Sequence, residues 1–218
     1  MKCSPLSRFA VSTVLLLVST PLFPAPTLAG KLPATGQTTA YPAQNNGDQS
    51  PVPVPDDGTL QRGAALHYKV LLDGTVKDLN TGLIWEVKCD RLVGCLPQHN
   101  VNNTYPWSGT GAEDTIWDWL NTINSEGGTG YAGHNDWRVP NVRELQSIVD
   151  YGRCPGCGSD SAAIDPIFGP TAASAYWSST TSADVSDFAW NVYFGNGSLD
   201  PEGKLGSRFV RAVRGGPK

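Results

Sequence analysis

Four sets of residues in this chain have the chemistry and spacing to build a site: the cysteines, the histidines, the late aromatic residues and a C-terminal group of cations. The cysteines are Cys3, Cys89, Cys95, Cys154 and Cys157. Within the pairs Cys89/Cys95 and Cys154/Cys157 each sulfur needs only a turn to reach its neighbour, so local disulfides are the expected pairing among the three connectivities that four cysteines allow. Two other chemistries compete for the same thiols. A C-x2-C pair serves as a redox centre when a helix start in a thioredoxin-like frame lowers its thiol pKa, and no such frame surrounds Cys154. Four thiolates can hold zinc, although C-x5-C is a loose spacing beside C-x2-C. The reading is structural disulfides, with no metal and no cofactor.

The three histidines, His67, His99 and His134, contain no pair at metal-ligand helical spacing. There is no Gly-x-Ser-x-Gly elbow and no phosphate loop, and the paired acids Asp56-Asp57 read as solvated. No catalytic constellation is expected. Recognition chemistry is better represented. Trp177, Trp190 and Tyr193 offer large rigid contact area, with Trp190 read as core and Trp177 divided between core and platform. Lys204, Arg208, Arg211 and Arg214 are the only basic cluster. On one continuous strand Arg208 and Arg214 would face one side and Arg211 the other. Arg211 then reads as a buried partner of a carboxylate, and the other three as cations able to meet a polyanion. Asp136 and Arg138, flanking Trp137, read as an ion pair that locks a loop.

These residues need elements to hold them. The chain has 218 residues, of which 24 are Gly and 17 Pro, with 17% charged and a net charge of −4. That size suits one core with appendages, and the turn-rich composition suits short strands rather than long helices. An acidic balance gives no general attraction for nucleic acid. Lys2 and Arg8 precede an apolar run from Phe9 to Val18, followed by Pro21, Pro24, Pro26 and a small-residue end at Ala29. Residues 1–29 therefore read as a signal peptide, which places the mature chain outside the cytoplasm, secreted, periplasmic or at the cell surface, with no further membrane span. Residues 30–63, rich in Pro, Gly and Gln, read as an extended, poorly packed segment. Leu32-Pro33-Ala34-Thr35-Gly36 there resembles a cell-wall sorting pentapeptide, but the apolar tail that such a signal needs does not follow it.

Residues 64–216 read as the folded domain. Asp73-Gly74 and Asn80-Thr81-Gly82 are turn sequences that separate three strands, Tyr68 to Leu72, Thr75 to Leu79 and Leu83 to Val87. Thr110 and Glu113 have capping-box spacing ahead of a helix with Ile116, Leu120 and Ile123 on one face, stopped at Gly127-Gly128. A second short helix starts at Asn141, with Glu144 three residues on and Leu145, Ile148 and Val149 inward. Tyr176 to Ser179, Phe188 to Phe194 and Phe209 to Val213 read as later strands. The fold class is α+β, a largely antiparallel sheet with two short helices.

Five ordered motifs carry a resemblance: Asp78-Leu79-Asn80-Thr81-Gly82-Leu83-Ile84-Trp85; Asp136-Trp137-Arg138-Val139-Pro140-Asn141 with Glu144-Leu145; Tyr176-Trp177-Ser178-Ser179-Thr180; Ala189-Trp190 with Val192 and Phe194; and Phe209-Val210-Arg211-Ala212-Val213-Arg214-Gly215-Gly216. Together they resemble the Lcl C-terminal domain family, from Gln61 to Pro217. The resemblance implies a secreted bacterial domain, C-type-lectin-like in arrangement and related to the formylglycine-generating enzymes. Its founding relative is an adhesin domain that binds sulfated glycosaminoglycans. The implied function is a non-catalytic binding or adhesion module for a surface glycan or a partner protein, with ligand-binding candidates Trp177, Ser179, Asn191, Tyr193, Arg208 and Arg214. Two alternatives stand beside it: an oxidase of the formylglycine-generating type, and a structural part of a cell-envelope assembly. Arg138-Val139-Pro140 with Glu144 is similar to the helix start of that enzyme family, whose working cysteines lie late in the domain, whereas this chain has none after Cys157. Asn191 after Trp190 is similar to the Trp-Asn-Asp element of calcium-dependent lectins, but Val192 replaces the acid, so no calcium–sugar site is expected there.

Overall fold

The structure is a computed structural model that describes residues 32–38, 55–90, 94–109, 111, 114–153 and 162–216. The signal peptide, Thr110, Glu113 and the Cys154/Cys157 pair lie outside the described residues.

Two sheets share the work. β1 (Tyr68–Val70), β2 (Val76–Asp78) and β3 (Leu83–Trp85) form the expected meander, and β9 (Val213–Gly215) joins β3 to complete an antiparallel four-stranded sheet of order β1-β2-β3-β9. The turns close as the sequence indicates. Asp73 Oδ1 accepts from the Thr75 backbone N–H and hydroxyl at 3.0 and 2.7 Å, while Gly74 supplies φ +82°. Asp78 repeats the device, accepting from Asn80 N–H at 2.8 Å and Thr81 Oγ1 at 2.6 Å.

The second sheet has the order β4-β8-β5-β6-β7, built from β4 (Thr104–Pro106), β5 (Ala175–Thr181), β6 (Phe188–Tyr193), β7 (Ser198–Gly203) and β8 (Ser207–Phe209). Its pairs are antiparallel except the parallel contact of β5 with β8 at Tyr176 and Phe209. Strand alternation divides the core. Tyr176 and Val192 face a cluster with Trp85, Leu145, Ile148, Phe168 and Phe194, whereas Trp177 and Ala189 face one with Ile116, Trp119, Ile123, Trp137 and Val210.

Between β8 and β9 the structure corrects the sequence reading, for Phe209 to Val213 is not one strand. Val210, Arg211 and Ala212 are all buried, so the chain dives through the interior from one sheet to the other and side-chain alternation stops. Arg211 is fully buried, but its direct partners are two carbonyls and a hydroxyl rather than a carboxylate. Its Nη1 donates to the Glu86 and Phe168 carbonyl oxygens at 2.7 and 2.8 Å, and its Nη2 to Thr171 Oγ1 at 2.7 Å. The Glu86 carboxylate turns instead to the Ala212 backbone N–H, at 2.8 Å.

Both helices form. α2 (Ile116–Ser125), which follows the single turn α1 (Asp57–Leu60), buries Ile116, Trp119 and Ile123. Its cap is not the expected Thr110: Thr115 and Asp118 make the capping box, one turn later. α3 (Val142–Gln146) is capped by Asn141 with Glu144 as expected. Residues 32–38 are extended but docked, which corrects the poorly packed reading for that stretch. Ala34 N–H donates to Ala64 at 2.7 Å, Tyr151 N–H to Thr35 at 2.7 Å, and the Thr35 hydroxyl to Asp57. Asp56 caps α1, so neither acid of the pair is merely solvated.

Candidate functional site

The six candidate ligand-binding residues do not converge on one surface. Trp177 is 0% exposed, and its strand partner Asn191 is also buried, donating from Nδ2 to the Asp200 carbonyl at 2.8 Å. Neither side chain is at the surface, which removes both from a recognition face. Ser179 is spent on the chain that enters α3, where its N–H and Oγ both donate to the Pro140 carbonyl, at 2.8 and 3.3 Å. Tyr193 is 39% exposed at the far end of β6.

The two arginines carry partners of their own. Arg208 of β8 pairs with Glu202 of β7, the strand that precedes it in the chain. Arg214, on the other sheet, donates from Nε to Asp136 Oδ1 at 2.7 Å and from Nη2 to Oδ2 at 3.3 Å. That contact displaces the expected Asp136/Arg138 pair. Arg138 reaches forward to the α3 cap, bonding both carboxylate oxygens of Glu144 at 2.6 and 2.7 Å. Of the three cations read as able to meet a polyanion, Lys204, Arg208 and Arg214, Lys204 has no carboxylate partner among the described residues.

A surface does assemble around Lys204. Trp107, just past β4, and Trp117, in the first turn of α2, are both half-buried and meet edge to face with ring centres 4.9 Å apart. Lys204 Nζ lies 4.0 Å from the centre of the Trp107 ring and donates to Thr181 Oγ1 at 3.0 Å. Buried groups hold this edge from behind. Trp107 Nε1 donates to the Ser178 carbonyl at 2.9 Å, and Trp177 Nε1 to the Tyr105 carbonyl at 3.0 Å. The Tyr176-Trp177-Ser178-Ser179 motif therefore acts from inside the sheet, through its neighbours. Sequence reasoning missed both surface indoles. The one available signal was that Trp117 sits off the apolar face of its helix.

A second polar assembly is interior. His99 Nδ1 lies 2.7 Å from Glu86 Oε1 and its Nε2 lies 2.8 Å from Glu126 Oε2, so the ring bridges two carboxylates. Burial by itself lowers a histidine pKa, but the hydrogen bonds and charges of Glu86 and Glu126 win and raise it. Glu86 is fully buried, which pushes its pKa up, yet Lys88 and His99 pull it down further, to about 2. Lys88 Nζ sits 2.8 Å from Glu86 Oε1 and 4.8 Å from the Trp119 ring centre. Burial, the largest influence on Lys88, lowers its pKa against the pull of Glu86. The Cys89–Cys95 disulfide closes the loop that leads into this assembly. Among the described residues no group of three or more His, Cys, Asp or Glu side chains is arranged to hold a metal ion.

The family model of the Lcl C-terminal domain matches residues 74–214. The chain belongs to that family. No curated protein matches the chain. The matched stretch of the Lcl C-terminal domain holds the meander from the β1–β2 turn onward, α2, α3, the Trp107–Trp117 edge and the interior His99 assembly. It ends on the Arg214 that clasps Asp136. No helix among the described residues is long and apolar enough to cross a membrane.

Proposed function

We propose that this Lcl C-terminal domain is a non-catalytic recognition module, exported from the cytoplasm, that holds a surface glycan on the Trp107–Trp117 edge. The observation that carries the reading is the edge-to-face indole pair with Lys204 over one ring. Sugar rings present apolar C–H faces that pack on half-exposed indoles at small entropic cost. An anionic substituent on the chain, a sulfate or a carboxylate, meets the Lys204 ammonium, whose charge has no carboxylate partner among the described residues. Arg208 and Arg214 are neutralised by Glu202 and Asp136 and contribute little of their charge. The closed Cys89–Cys95 bridge suits an oxidising compartment.

The test is a glycan array probed with the wild-type chain and with Trp117→Ala. Binding to acidic glycans that disappears in the variant supports the proposal. Binding to no glycan, or equal binding by both proteins, overturns it.

A further inference from the structure

A depression of about 610 Å³ opens at the C-terminal end of α2, apart from the indole pair, and Gln98, Asn121, Thr122, Ser125 and Glu126 supply its polar wall, with Leu96 beside them. Its chemistry is two amides, two hydroxyls and one carboxylate. Among the described residues no lysine, arginine or aromatic ring lines it, and those that do line it offer little to an anion or a stacked base.

The carboxylate is presented in a fixed way. Gln98 Nε2 and His99 Nε2 both bond Glu126 Oε2, at 2.7 and 2.8 Å, which leaves Oε1 without a partner among the described residues. Behind them His99 is anchored on the fully buried Glu86. A carboxylate whose orientation is set by a buried relay, and one of whose oxygens is still free, is pre-organised to accept further hydrogen bonds. Asn121 and Thr122 are exposed on the same stretch of helix, one turn before Ser125.

We infer that this depression is a second ligand site, which takes an uncharged polyhydroxylated molecule such as a sugar ring. Neighbouring hydroxyls of the ligand donate to Glu126 Oε1, and the Asn121 side-chain amide donates to a ligand oxygen. An organic cation is the competing occupant for a lone carboxylate. The imidazole on the same carboxylate, itself between Glu86 and Glu126 and near Lys88, makes the surroundings less favourable for a second positive charge. The site is separate from the acidic-glycan face, and either holds or fails without the other.

The experiment is a ¹H–¹⁵N NMR titration of the full chain with the methyl glycosides of glucose, galactose and mannose, and separately with choline. The expected result is that at least one glycoside shifts the backbone amides of Gln98, Ser125 and Glu126 and the Asn121 side-chain NH₂, equally at low and high salt. Asn121→Ala, at an exposed position, and Glu126→Gln should each weaken that binding about tenfold, the size of one hydrogen bond to a charged or polar group. The inference is overturned if no glycoside shifts these resonances, if choline alone does so, or if Asn121→Ala binds as the wild type does.

Discussion

Trp177 donates its indole N–H to the carbonyl of Tyr105 at 3.0 Å, joining two strands 72 residues apart. One position further along β5, the Ser178 carbonyl receives the Trp107 indole at 2.9 Å. A buried tryptophan and its neighbour thus pin the edge on which the half-buried Trp107 indole stands.

Trp177→Phe keeps most of the buried ring and deletes the bond, leaving the Tyr105 carbonyl short of a partner. The expected loss is about 1–3 kcal/mol of stability, read from chemical denaturation, together with weaker glycan binding because Trp107 loses its support. Unchanged stability would show that the bond does not hold β4 in place.

Stability should also depend on pH through the His99 bridge. The folded-state pKa of His99 is raised, so its contribution is complete below the unfolded value of about 6.5 and is lost as pH rises through the folded value. Glu86 has the opposite sign. Its contribution is complete above its ordinary value of about 4.5 and is lost as pH falls toward about 2. These two groups together therefore favour the fold most between about pH 4.5 and 6.5. Denaturation curves for wild type and His99→Gln across that range and above it isolate the imidazole. The stability gap between the two proteins should shrink on the alkaline side, and a gap independent of pH would contradict the bridge.

Reduction of Cys89–Cys95 should cost about 2 kcal/mol, the chain-entropy value for so short a loop. The comparison is the denaturant midpoint of the Cys89→Ser/Cys95→Ser protein with that of the wild type, which leaves Cys154 and Cys157 untouched in both. An unshifted midpoint would mean that the loop is held by its backbone contacts, such as Cys89 N–H to the His99 carbonyl at 3.1 Å.

With one unpartnered cation on the binding face, salt should weaken binding of an acidic glycan gently, by about fivefold per tenfold rise in salt for a single released counterion. An Arg208→Ala/Arg214→Ala protein should bind within about twofold of wild type, because both charges are already neutralised. A steep salt dependence that is abolished in this variant would move the site to the arginines.

What the sequence disclosed depended on how local the cause was. Asp73-Gly74, Asp78 with Asn80-Thr81-Gly82, and Asn141 with Glu144 act within a few residues, and each formed as read. β4 was missed because its cause is pairing at a distance, with β8, and β7 because its composition hides a strand that pairs with β6 across a short turn. β7 runs Ser-Leu-Asp-Pro-Glu-Gly, a turn-like composition tolerated at a sheet edge, where proline need not donate. Trp177 and Trp190 are the same residue type on adjacent strands, yet one is fully buried and the other half-buried, since Trp177 packs among Ile116, Trp119 and Ile123 whereas Trp190 lies on the opposite face and outside both core clusters. The Asp136–Arg214 contact spans 78 residues and follows from the Arg138–Val213 backbone bridge, which no local pattern announces.

A glycan lying against the indole pair is tested most directly by an NMR titration of the indole N–H resonances with a heparin oligosaccharide. The prediction is that the Trp107 and Trp117 resonances shift together and saturate, the buried Trp177 resonance moves little, and Lys204→Ala weakens the effect. Shifts confined to the surroundings of Arg214 and Asp136, or indole resonances that stay still while heparin binds, would contradict it.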